Sequence, residues 1–89
     1  MNQTRTLPMQ VHIVERESDT TADVTITMES GQQLHGHGLS YRHPRDPDVP
    51  EIGDELATAR ALSELSHRLV EAAAESISQR EHRPVHLTR

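Results

Sequence analysis

The chain contains no cysteine, phenylalanine, tryptophan or lysine. Without cysteine there is neither a disulfide framework nor a thiolate metal site. With Tyr41 as the single aromatic residue, the core of 89 residues has to be assembled from Leu, Ile, Val, Met and Ala. A domain so short of large apolar side chains is marginal as a monomer, and association with a second copy is a natural remedy. No apolar run approaches the ~18 residues of a membrane-spanning helix. The N-terminal MNQTRTLPMQ is polar and does not read as a secretory leader, so the expected location is cytoplasmic. The absence of lysine leaves nine basic residues, all arginine, against 14 acids, a net charge of −5. That balance is the reverse of the basic footprint of a general nucleic-acid binder. Arginine alone suits phosphate or carboxylate recognition, but it is more often the mark of a GC-rich coding sequence.

What is present is one long helical pattern. In VPEIGDELATARALSELSHRLVEAAAESI, residues 49–77, the apolar Leu56, Ala59, Leu62, Leu65, Leu69, Ala73 and Ile77 recur at spacings of three and four and so share a face. Glu64, His67, Arg68, Glu71, Glu75 and Ser78 fall mostly on the other side. The interior is rich in Ala, Leu, Glu and Arg, which lose little entropy in a helix. Asp48 and Glu51 have capping-box spacing, Asp54 and Glu55 suit the positive end of the helix dipole, and Pro84 lies beyond the helix end. From Asp54 to about Gln79 the helix would be roughly 39 Å long.

Upstream the period changes to two. Met9, Val11 and Ile13 alternate with Gln10, His12 and Val14, predicting a strand over 9–17. Ala22, Val24, Ile26 and Met28 alternate with Asp23, Thr25, Thr27 and Glu29, a half-buried second strand. Ser30-Gly31 has hairpin chemistry, and a third strand follows over 32–41. Its facing depends on that turn. A two-residue loop sends His35, His37 and Leu39 toward the helix, whereas a loop one residue longer sends Leu34, Gly36 and Gly38 there. The first is expected, because inward glycines would leave a hole beneath the helix.

These elements make an α+β fold, a three-stranded antiparallel meander followed by one long helix (β-β-β-α). Residues 1–8 form a loose end, 9–79 the domain and 80–89 a basic tail, in which Val85 and Leu87 alternate as a short strand or strap does. A strand of about eight residues spans roughly 27 Å, so the helix overhangs the sheet near Ala73 and Ile77. Those two residues, with Val85 and Leu87, are the expected homodimer interface.

Candidate chemistry is sparse. His35 and His37 project from one strand face and, with His12, have the residue types of a metal site; the simpler reading is of strand histidines under a cover, and no metal or other cofactor is assigned. Asp46, Asp48, Glu51, Asp54 and Glu55 supply oxygen ligands but lack the EF-hand series, and they read as acids at a helix start. Arg42, Arg45, Arg80 and Arg83, with His43 and Arg89, are the local basic groups, a candidate RNA- or phosphate-binding set if they converge and surface ion-pair partners if they do not. No nucleophile–base constellation and no Gly-rich phosphate loop is present, so an enzyme is not expected.

The run VPEIGDELATARALSELSHRL, with GHGL in the third strand, resembles a family of short actinobacterial proteins of unknown function classed as having a double-stranded-RNA-binding-domain-like fold. The resemblance extends from about Met9 to Leu87. It implies a β-β-β-α homodimer, a link to hypoxia or dormancy, and a dimer similar to ribosome hibernation promoting factors, hence a ribosome- or rRNA-bound, translation-silencing role. Against that stand the acidic balance and the lack of aromatic platforms for bases. The competing expectation is an acidic homodimeric protein–protein interaction module that binds no nucleic acid.

Overall fold

The computed structural model describes residues 2–43, 45, 49–82 and 86–87. Strands β1 (Met9–Glu15), β2 (Asp19–Thr27) and β3 (Gln33–Tyr41) form an antiparallel sheet in the order β1-β2-β3, followed by helix α1 (Pro50–Glu81). The fold is the α+β meander-plus-helix that the periodicities imply. The helix is 32 residues long, because Pro50 starts it earlier than expected. A proline at the first helical position costs no hydrogen bond and pre-sets φ. Val49 occupies the N-cap without a side-chain bond, and Asp48 of the expected capping box lies outside the described residues. At the other end His82 adopts the left-handed conformation, φ 57°, which stops the helix. Pro84, Val85 and Arg83 lie outside the described residues.

The hairpin between β2 and β3 corrects the expected register. Its closing bonds are Met28 N–H to the Gln32 carbonyl (2.8 Å) and Gly31 N–H to the Met28 carbonyl (2.9 Å), with Gly31 at φ 91°. The connection is therefore three residues long, with glycine at the left-handed position of a bulged turn. Val24 pairs with Gly36 and Ala22 with Gly38. Gly36, Gly38 and Ser40 consequently face the helix, and His35 and His37 face away from it.

No hole results, because the backbone of α1 descends into the space. A Cβ placed on Gly38 would lie 2.5 Å from the Ala61 nitrogen and closer still to the Ala57 carbonyl oxygen; on Gly36 it would lie 2.7 Å from the Leu65 nitrogen and closer still to the Ala61 carbonyl oxygen. The buried stripe of α1 is accordingly Ala57, Ala61 and Leu65, packed on Ala22 and Val24, with Ile26, Leu34 and Leu69 around it. Small residues on both sides permit the close approach. This corrects the expected helix face: Leu65 is buried, but Leu56, Ala59, Leu62 and Ala73 are exposed. Leu65→Ala should cost about 2–5 kcal/mol, measured by chemical denaturation at fixed protein concentration, whereas a loss below ~1 kcal/mol would mean that the site collapses around the smaller side chain.

Candidate functional site

The helix lies over β3 and β2 and scarcely reaches β1. Its orientation about its own axis, with Ala57, Ala61 and Leu65 on the sheet, places Arg60 where its guanidinium donates to the Leu39 carbonyl at 2.7 Å. Arg60 therefore overhangs the β3 edge. Leu62 lies about 200° further round the helix, on the flank that overlooks β1, and Leu69, Ala73 and Ile77 follow it there at helical spacing. Beneath that flank Met9, Val11 and Ile13 point to the helix side of the sheet, since they pair with Ile26, Val24 and Ala22. They are nevertheless 50%, 44% and 37% exposed, and Leu62 is 39% exposed. The result is an apolar trough between β1 and the helix, open to solvent in the single chain. It contrasts with the buried core, in which Val24 is the one large side chain sealed completely.

The opposite face of the sheet is polar. His37 Nδ1–H donates to the Asp23 carboxylate at 2.7 Å, and His35 Nδ1 shares a hydrogen bond of 2.9 Å with Thr25 Oγ1. His12 lies opposite Asp23 on the other side. Among the described residues no group of three or more His, Asp or Glu side chains converges to hold a metal ion.

The expected basic set is divided within one chain. Arg42 and Arg45 lie just after β3, at the helix N-terminal end, where Arg42 donates to the Glu17 carbonyl at 3.4 Å. Arg80 lies in the last helical turn, about 45 Å along the helix from Pro50 at 1.5 Å per residue. Arg83 falls outside the described residues. Among the expected interface residues, Ala73 is exposed, Ile77 half-buried and Leu87 37% exposed; Val85 is outside the described set. No helix among the described residues is long and apolar enough to cross a membrane.

Two features went unread in the sequence. One is the trough. Its β1 side was legible as alternation, but its exposure depends on where the helix sits. The other is a cleft of about 300 Å³ at the helix N-terminus, between the ends of β2 and β3 and the first turn of α1. Thr20 and Ser40, paired across the two strands, line it. No sequence motif marks two hydroxyls so far apart. Elsewhere, Asp54 Oδ1 is buried, and nothing among the described residues satisfies it.

A family model described as Rv2632c-like matches residues 5–86. The uncharacterized protein Rv2632c of Mycobacterium tuberculosis (strain ATCC 25618 / H37Rv) is 38% identical over 81 residues, covering 91% of this chain and 86% of the relative. The uncharacterized protein Mb1767 of Mycobacterium bovis (strain ATCC BAA-935 / AF2122/97) is 38% identical over 79 residues, covering 89% and 83%. The crystal structure of Rv2632c is similar at a TM-score of 0.82 and 36% identity, covering 93% of this chain and 98% of that one.

Proposed function

We infer, since this chain belongs to the Rv2632c-like family, that it is a small non-enzymatic binding protein that works as a cytoplasmic homodimer. The observation that carries this reading is the open trough of Met9, Val11, Ile13 and Leu62. A contiguous apolar surface of this kind is costly to leave in water and marks an interaction site. A second copy is the favoured occupant because the intrachain core is thin and the trough continues along the helix to Ala73 and Ile77, past the end of the sheet. A two-fold pairing offers each trough the partner's matching apolar residues and shields the unpaired edge of β1. The interface should then exceed the ~1,000 Å² of a biological contact, with Leu87 beside the same seam. Light scattering on a gel-filtered sample tests it. The expected mass is about twice the 10.0 kDa of the chain, persisting on dilution to low micromolar; a folded species of single-chain mass there contradicts the dimer.

The dimer's partner is a protein, on the balance of charge: 14 acids against nine arginines oppose a polyphosphate backbone. A second reading is supported by the placement of the arginines. A two-fold axis perpendicular to the helix brings Arg42 and Arg45 of one protomer toward Arg80 of the other, assembling across the dimer the cluster that a single chain lacks. That arrangement suits the ribosome-associated role in stress or dormancy, like that of hibernation factors, which the family resemblance implies. Generic duplex RNA should bind weakly in both cases, with affinity falling steeply as salt rises. Co-sedimentation with ribosomes from resting cells separates the two: retention that is lost in an Arg42→Ala, Arg80→Ala double variant supports the second, and no retention supports the first.

A further inference from the structure

We propose that the cleft at the start of α1 is a binding site for a small monocarboxylate with an apolar body. Three independent features converge there. The first is the helix terminus. Val49 provides no side-chain cap, and Pro50, Ile52 and Gly53 of the first turn line the cleft, at the positive end of a long helix dipole. The second is a pair of hydroxyls on largely buried residues. Thr20 and Ser40 are only 8% and 5% exposed, both line the cleft, and among the described residues neither side chain has a hydrogen-bond partner. Their hydroxyls are therefore open to the cleft, where the acceptor of a ligand can bond them. Thr20 Oγ1 reaches under the first turn of the helix: a Cβ on Gly53 would come within 2.7 Å of it, so glycine at that position is what keeps the hydroxyl in the cleft. The third is the wall. Val49, Ile52 and Leu56 are all more than 40% exposed and line the same space, giving apolar surface next to the donors.

The charges at the rim select the head group. Arg16 is paired with Asp19 at 3.3 Å, and Arg42 donates to the Glu17 carbonyl. The carboxylates of Glu15 and Glu17 also line the cleft, and they oppose a multiply charged anion such as phosphate. A single carboxylate accepts from Thr20 and Ser40 at the positive end of the helix dipole without meeting that repulsion in full, while its hydrocarbon lies on Ile52 and Leu56. A cleft of about 300 Å³ is at the small end for ligand sites. The ligand is thus a short acid or the C-terminal residue of a peptide, and the two share this chemistry.

The test uses the full chain, ¹⁵N-labelled, titrated separately with hexanoate, N-acetylleucine, hexylamine and hexanol. Saturable amide shifts at Thr20, Ser40, Glu51 and Gly53 are expected with the carboxylates. Hexanol should bind about tenfold more weakly or worse, and hexylamine should not bind. Binding of hexanoate alone identifies a free acid, binding of N-acetylleucine alone a chain terminus, and binding of both the general class; each supports the proposal. The Thr20→Val, Ser40→Ala double variant should lose about tenfold in carboxylate affinity. If it proves unfolded by its spectrum, the comparison of hexanoate with hexanol and hexylamine on the parent chain decides. Equal binding of hexylamine, or no saturable shift with either carboxylate in the millimolar range, overturns the proposal.

Discussion

Gly38→Ala should unseat the helix. The new Cβ would meet the Ala57 carbonyl oxygen and, at 2.5 Å, the Ala61 nitrogen, and both are backbone atoms that cannot rotate away. Either the helix rises from the sheet, stripping cover from Ala22 and Val24, or β3 bends and loses its pairing with β2. Overpacking of cores costs typically 1–3 kcal/mol, and a rigid backbone obstacle places this change at or above the upper end. For a domain of this size each kcal/mol lowers the melting temperature by about 4–8 °C, so a fall of more than about 12 °C is expected, with Gly36→Ala similar. Gly31→Ala is the control. That position has positive φ but nothing within 4 Å of an added Cβ, so only the left-handed penalty of about 1–2 kcal/mol applies. Melts at one protein concentration check this, and a Gly38→Ala variant that melts within a few degrees of the parent would refute the close helix–sheet approach.

The same glycines show where the sequence could be read and where it misled. Alternation over 9–13 and 22–28 and the helical period over 56–77 were sufficient for the element order. The register failed on a steric assumption, that inward glycines mean a void. A void follows only if the helix stands off at the distance set by large side chains. Here Ala57 and Ala61 are four residues apart, a rise of about 6 Å, and Gly36 and Gly38 are two apart on a strand, about 6.7 Å. That near-match of small residues was available in the sequence and signals backbone contact. The helix face was misplaced for a related reason. The apolar stripe is wide and combines two surfaces, Ala57, Ala61 and Leu65 against the sheet and Leu62, Ala73 and Ile77 on the flank above β1. Periodicity averages them, and the larger side chains pull the average toward the flank. Thr20 and Ser40 are brought together only by the corrected register, which no local pattern announces.

Val11→Glu should abolish the proposed homodimer. Val11 sits in the middle of β1, on its helix-facing side and opposite Val24, at the centre of the open trough. In a lone chain its 44% exposure lets a glutamate reach water at modest cost. In a dimer the same carboxylate is buried against an apolar partner, a penalty of several kcal/mol. A loss of about 3 kcal/mol weakens association by more than a hundredfold, enough to give monomer or, given the thin core, unfolded chain at micromolar concentration. Gln10→Glu, one residue away on the polar face, should leave the dimer intact. Equal masses for Val11→Glu and the parent would move the seam away from β1.

The proposed filling of the trough by a second copy is tested most directly by an isotope-filtered NOE measurement on a mixture of ¹³C-labelled and unlabelled chains. Intermolecular NOEs are expected between the methyl groups of Met9, Val11, Ile13 and Leu62 and their counterparts on the other chain, extending to Ala73 and Ile77. Methyl groups at these positions that show intrachain NOEs alone, in a sample tumbling as a 10.0 kDa particle, would contradict it.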